Sequence, residues 1–264
     1  IELARRAEEA AMSADPRMTN SEGADCSVSQ GTVLLANHHG FVGCHQSSTF
    51  SLSVSPIAGD SQNGGMQRDS WYSVKRKYHL LDSPEAIGKE AARRTLRRLG
   101  ARKVTTQQVP VVFDQEMAKS LLGHLATAVS GYSIYKGASF LSEFLGKQMA
   151  PEFVTVYDDG RLTDGLGSRP FDGEGLATQK TVVMENGTLT SFLLDTYSGR
   201  KLGMKSTGNA ARGVGDSPSV STTNLHLVPG TSSPADIIGS VKQGLYVTEL
   251  IGFGVNMLTG DYSR

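Results

Sequence analysis

Asn186-Gly187 lies between two β-rich runs, Thr181-Val182-Val183-Met184 and Leu189-Thr190-Ser191-Phe192-Leu193-Leu194. A two-residue hairpin turn needs positive φ at its centre, which Asn and Gly tolerate and β-branched residues do not. The pair predicts an antiparallel hairpin in the second half of the chain. Glycine breaks recur around it: 30 of 264 residues are glycine, so short strands joined by tight turns are expected. Thr49–Pro56 places Phe50, Leu52 and Val54 on one face, the period-two pattern of a half-buried strand. Thr32–Ala36 and Phe41–Cys44 flank His38-His39-Gly40 and read as strand, turn and strand. Trp71–Leu80, Gln108–Phe113, Phe153–Tyr157 and Asn224–Val228 read as further strands, with Gly59–Met66 and Asp158-Asp159-Gly160 as turns.

Helical periodicity is confined to a few windows. Glu2–Ala14 reads as a helix ended by Asp15-Pro16. At Ser83-Pro84-Glu85 a capping hydroxyl, a first-turn proline and an acid at the positive dipole end coincide. Ile87, Ala91, Ala92, Leu96 and Leu99 then recur at helical spacing, and Gly100 supplies the stop. The opposite face carries Lys89, Arg93, Arg94, Arg97 and Arg98, read as a solvated stripe, with an anion or partner contact as the alternative. Asp114–Ser130 reads as a helix, followed by a loop through Gly131 and Gly137 and a short helix near Phe140–Leu145. The expected class is α+β: part of a sheet-and-helix domain over residues 1–102, then a β-rich domain over 103–264. The first residue is Ile1 and the last Arg264, and both ends read as cut.

Lys+Arg and Asp+Glu balance at 26 each, which argues against nucleic acid as a partner of the whole chain, since phosphate neutralisation needs a basic surplus. Cys26 and Cys44 are the only cysteines, which suits free thiols in the cytoplasm. No run approaches the roughly 18 uninterrupted apolar residues of a membrane span.

Chemistry is sparse. Met117, Leu121, His124 and Ala128 share one helix face. A zincin helix would place a second histidine one turn on and a glutamate beside the first, so His124 reads as a core or interface histidine. His38-His39-Gly40-Phe41-Val42-Gly43-Cys44-His45 gathers three imidazoles and a thiol, all metal-competent. Its spacing matches no common finger or ribbon, and the turn reading takes precedence. Gly165-Leu166-Gly167 and Gly213-Val214-Gly215 lack the strand, helix and Lys of a phosphate loop.

Longer runs carry a resemblance. Leu121-Leu122-Gly123-His124-Leu125, Tyr135-Lys136-Gly137-Ala138-Ser139-Phe140-Leu141 and Arg169-Pro170-Phe171-Asp172-Gly173-Glu174-Gly175 are similar to segments of the TldD/PmbA family. So are Thr196-Tyr197-Ser198-Gly199-Arg200-Lys201-Leu202-Gly203, Ser206-Thr207-Gly208-Asn209-Ala210 and Gly260-Asp261-Tyr262-Ser263-Arg264. Ser70-Trp71-Tyr72 and Ala91–Leu96 resemble the PmbA (TldE)-like branch. The resemblance implies a cytosolic heterodimer with a TldD-like zinc peptidase that cleaves extended or unfolded peptides. In the TldD-like branch a His-Glu-x-x-x-His helix binds zinc. The matching positions here are Gly123, His124 and Ala128, so the resemblance implies no catalytic residue and no metal in this chain, with zinc in the partner. It further implies peptide binding at a strand edge over Thr222, Thr223, Asn224 and Leu225. The alternatives are a self-sufficient metallopeptidase using His124 or the His38–His45 cluster, and a nucleic-acid-associated regulator using the Lys89–Arg98 face.

Overall fold

The computed structural model describes residues 1–59, 65–252 and 254–264; most of the turn expected at Gly59–Met66 lies outside the described residues. The chain forms two compact units, residues 1–33 with 44–106, and residues 34–43 with 107–264.

The first unit contains α1 (Glu2–Met12), β1 (Met18–Ala36), β2 (Val42–Gly59), β3 (Met66–Arg68), β4 (Trp71–Lys75), a 3-10 turn at Tyr78–Leu80 and α2 (Pro84–Leu96). Its sheet runs β1-β2-β3, with β4 also paired to β2. β1 and β2 are 19 and 18 residues long, so a single long hairpin replaces the separate short strands expected. Met18–Gln30 carries too few apolar residues to announce a strand; pairing with β2 makes it one. The inner face of β2 buries Leu52 and Val54 against Ala7 and Ala11 of α1 and Ile87 and Ala91 of α2.

Those helices meet through small side chains. A Cβ at Gly88 would collide with the Ala7 carbonyl oxygen and come within 2.9 Å of the Ala10 methyl. Ser83 caps α2 by accepting the Ala86 N–H at 3.2 Å. The basic run on α2 is a solvated stripe only in part: Lys89 and Arg93 are exposed, and the rest turns inward. Arg94 is buried, 4.9 Å over the Trp71 ring and 3.6 Å from Asp69. Arg97 and Arg98 reach the same carboxylate at 4.0 and 3.9 Å, while Arg93 pairs with Glu90 at 2.7 Å. Positions 94, 97 and 98 share one face, and Asp69 turns that face inward.

The second unit contains β5 (Val111–Phe113), α3 (Gln115–Ala128), α4 (Gly131–Tyr135), β6 (Val156–Asp159), β7 (Lys180–Glu185), β8 (Thr188–Leu189), α5 (Thr196–Leu202), β9 (Ala210–Ala211), β10 (Ser219–Val220), β11 (Leu225–Leu227), α6 (Pro234–Gly239) and β12 (Leu245–Val247). The main sheet is ordered β11-β6-β7-β8, and β5 pairs in parallel with β12. The hairpin turn has φ 48° at Asn186 and 77° at Gly187. Val156, Val183, Leu189, Leu193, Leu194, Leu141 and Ala128 belong to one buried core. Three local expectations fail. The loop at Gly131 is α4, Phe140–Leu145 forms turns, and Asp158-Asp159 belongs to β6 rather than to a turn. The end of the long hairpin belongs to this unit, where Phe41 meets Phe171 edge to face at 5.2 Å. Among the described residues no helix is long and apolar enough to cross a membrane.

Gly88→Ala is expected to destabilise the first unit by about 1–3 kcal/mol, because the added methyl must displace backbone. Gly123→Ala, in a helix with open space around its Cβ, should instead be neutral or stabilising by roughly 0.5–1 kcal/mol. Urea unfolding of both variants checks the contrast.

Candidate functional site

Asp158 of β6 is 1% exposed. A carboxylate buried that deeply persists only where donors replace its water. The Thr223 N–H donates to its two oxygens at 2.8 and 3.0 Å, the Thr223 hydroxyl at 2.8 Å and the Asn209 side-chain amide at 2.7 Å. Asn224 continues the attachment. Its Nδ2 donates to the Asp159 carbonyl at 2.6 Å and the Ser168 hydroxyl at 2.9 Å, and its Oδ1 accepts the Gly167 N–H at 2.9 Å. A side chain at Gly167 would strike the Thr223 backbone, so this glycine permits close approach rather than phosphate binding.

Thr222–Leu225 is thereby delivered to β11, which pairs antiparallel with β6 as Leu225 to Asp158, His226 to Tyr157 and Leu227 to Val156. The flanking bonds run from Asp159 N–H to the Asn224 carbonyl at 3.2 Å and from Val228 N–H to the Thr155 carbonyl at 2.9 Å. Bonding partners alternate along an antiparallel pair, so Leu225 and Leu227 turn their backbone groups away from β6. β11 is the end strand of its sheet.

Helix α3 packs against β11. Asp114 starts it, accepting the Glu116 N–H at 3.1 Å and the Tyr246 hydroxyl at 2.9 Å. His124 is half-buried, with its Nε2 3.0 Å from the Arg264 guanidinium and its ring 6.1 Å from that of Tyr262. Burial first, and then the Arg264 charge, hold the imidazole below its ordinary pKa. Neutral His124 can then accept from Arg264. Gly123 is exposed with open space around it, whereas Ala128 is 1% exposed and belongs to the core. Five residues of helix rotate by about 500°, leaving these two positions roughly 140° apart. Neither residue offers a donor atom, and the only imidazole beside them faces a cation.

Elsewhere, His38 and His39 stack at 3.8 Å on the exposed turn whose shape Asn37 fixes, its side-chain oxygen accepting the His39 and Phe41 N–H groups at 3.0 and 3.2 Å. Cys26 and Cys44 are free thiols. Among the described residues no group of three or more His, Cys, Asp or Glu side chains could hold a metal ion. The donor set of α3 does not fit a catalytic metal. Asp158 and Asn209, which the sequence reading did not single out, anchor the region; their only advance signal was polar residues set in otherwise β-rich or glycine-rich runs.

Family profiles described as the PmbA/TldA metallopeptidase central domain and C-terminal domain match residues 1–99 and 106–264. The chain belongs to the PmbA/TldD metallopeptidase family. It is a PmbA/TldE-like member: Metalloprotease PmbA of Escherichia coli O157:H7 is 42% identical over 264 residues, covering 100% of this chain and 56% of that protein. The chain therefore spans a little over half the length of that relative. A solved Thermotoga maritima structure, named as a proposed modulator of a DNA gyrase, superposes with TM-score 0.89 at 28% identity, covering 99% of this chain and 59% of that one. TldE from Thermococcus kodakarensis shares the fold, with TM-score 0.84 at 24% identity and coverage of 96% and 57%.

Asp158→Ala strands the Thr223 and Asn209 donors and is expected to cost about 3 kcal/mol or more. Hydrogen exchange should then speed up at Thr223 and along β11 before it does so in β7. His124 should titrate below the ordinary imidazole value, and Arg264→Ala should move its midpoint upward, as read by its Cε1 proton in NMR. In the unfolded chain this imidazole takes up its proton at higher pH than in the fold. Stability should therefore fall as pH drops through the unfolded value and level off below the folded one.

Proposed function

We propose that this chain is the metal-free, PmbA/TldE-like subunit of a peptidase whose zinc resides in a TldD-like partner, and that it supports cleavage of extended or unfolded peptides. The observation that carries the reading is α3 itself. The helix that would grip a cation has Gly123 and Ala128 where donors would stand, and His124 is engaged with Arg264. The self-sufficient metallopeptidase loses support because His124 faces Arg264 and, among the described residues, the His38–His45 cluster brings no three donors together. The basic face of α2 gives the nucleic-acid reading little support, because Asp69 and Trp71 occupy its central arginine.

Peptide contact is assigned to Thr222, Thr223, Asn224 and Leu225, with β11 as the template. An end strand with outward backbone groups recruits an extended chain through main-chain hydrogen bonds, with little demand on sequence. Such selectivity suits unfolded substrates. Asp158 and Asn224 hold the template in place, so it needs no ordering when the peptide arrives. The free thiols Cys26 and Cys44 accord with a reducing, cytoplasmic setting.

Co-expression of the full-length protein with a TldD-like chain, followed by cleavage assays on an extended peptide, tests the proposal. The pair should exceed either chain alone, and Leu225→Pro, which removes an outward N–H, should lower cleavage by about tenfold, the cost of one lost main-chain hydrogen bond. Zinc analysis of each subunit should find stoichiometric metal in the partner alone. Full activity from the partner by itself, or stoichiometric zinc in this chain, overturns the reading.

A further inference from the structure

The second unit contains a cavity of about 600 Å³ bounded by α4, α5 and the strand-entry segment Ser217–Val220. Three tyrosines line it. Tyr132 and Tyr135 meet at 5.5 Å and Tyr135 and Tyr197 at 5.7 Å, both edge to face. Their position follows from the local fold. Tyr132 and Tyr135 lie three residues apart on α4 and so project from one side. Gly131 lets α4 approach α5 closely, since a Cβ there would come within 2.6 Å of Leu194 and Ser198. Tyr132 and Tyr197 remain 60% and 51% exposed, a large aromatic surface for a protein to leave in water unless something covers it.

The polar lining is acidic. Glu174 and Asp195 contribute carboxylates, and no Lys, Arg or His is among the lining residues. Asp195 uses one oxygen to accept the Ser198 N–H and hydroxyl at 2.7 and 2.6 Å, the cap that begins α5. Glu174 accepts the Thr196 N–H at 2.8 Å through Oε2, which fixes the side chain at the cavity wall while Oε1 remains for a ligand. Two lysines outside the lining lean on the tyrosine rings: Lys136 lies 5.9 and 5.5 Å from the Tyr132 and Tyr135 centroids and Lys201 5.5 Å from that of Tyr197. Burial, with Tyr197, Tyr132 and then Asp195 nearby, raises the Tyr135 phenol above its ordinary pKa, so that ring remains neutral.

Aromatic faces attract cations, and more strongly where water is displaced; carboxylates on the same wall fix the sign of the guest. We infer that the Tyr132–Tyr135–Tyr197 cavity is a binding site for an organic cation, an alkylammonium or guanidinium group, seated among the rings and paired with Glu174. None of Thr222–Leu225 lines this cavity, so its occupancy can be read on this protein alone, without a cleavage assay.

The full-length protein would be titrated by ligand-observed NMR with N-acetyl-lysine amide, N-acetyl-arginine amide, n-butylammonium and the neutral isostere N-acetyl-norleucine amide. The lysine and arginine amides should bind at least about fivefold more tightly than the norleucine amide. Equal binding of n-butylammonium would identify a free amine as guest; weaker binding would identify a peptide side chain. Glu174→Gln keeps an acceptor for Thr196 while removing the charge and should abolish the preference. Tyr197→Leu, at a half-exposed position, should weaken the cations about fivefold, and Tyr197→Phe should restore them. Norleucine amide binding as well as lysine amide, indifference of the preference to Glu174→Gln and Tyr197→Leu, or no binding of any probe at 20 mM overturns the assignment.

Discussion

The second unit depends on carboxylates placed where water cannot reach them. Asp158 is the clearest case, because the groups that satisfy it come from residues 51 and 65 positions further along the chain. A three-residue strand such as β11 has too few ladder bonds to hold its own register. Asp158 supplies the missing constraint, since leaving its charge unpaired would cost more than any local rearrangement could return. Asp172 repeats the device. Its Oδ1 accepts the Glu174 and Leu176 N–H groups at 2.9 Å each, and its Oδ2 accepts the Ala210 N–H at 3.1 Å. Asp195 does the same for α5. Short strands and many glycines would by themselves give a loose fold; buried acceptors collect the backbone donors that regular structure leaves unused.

This explains which parts of the fold were legible in the sequence. The hairpin at Asn186-Gly187, the cap at Ser83 and the extents of α1 and α3 rest on local preferences, which act within a few residues. The long pairing of β1 with β2 does not. Met18–Gln30 is polar enough to pass for a loop and becomes a strand only through its partner. Asp158-Asp159 reads as a turn for a related reason: two acids before a glycine are turn residues by propensity, Asp159 does accept the Arg161 N–H two residues on, and only distant donors let β6 bury Asp158. Arg94 of the basic run on α2 likewise required Asp69, a residue 25 positions earlier, to move it from surface to core.

At the candidate site, the residue types on α3 are legible in the sequence, but the burial of Ala128 and the contact of His124 with Arg264 are not. Nor is the attachment of Thr222–Leu225, since it depends on Asn209, Asp158 and Gly167 meeting in space. Nor is the tyrosine cavity. Its rings come from two helices whose contact is permitted by Gly131, and α4 itself looked like a loop.

The condition of α3 is more than a loss of ligands. Ala128 lies in the core beside Val129, and its carbonyl accepts the Ser139 hydroxyl at 2.6 Å. Installing an imidazole there would push a polar ring into packed apolar volume and strain that bond, while an imidazole at Gly123 would project into open space on another side. Two substitutions would thus not simply install a metal site, because Ala128 is packed into the core. Meanwhile the end strand β11 and its buried anchor Asp158 involve no metal-binding side chain of α3. Main-chain pairing at β11 and side-chain chemistry on α3 therefore draw on different atoms of the same fold, so a change in one leaves the other standing.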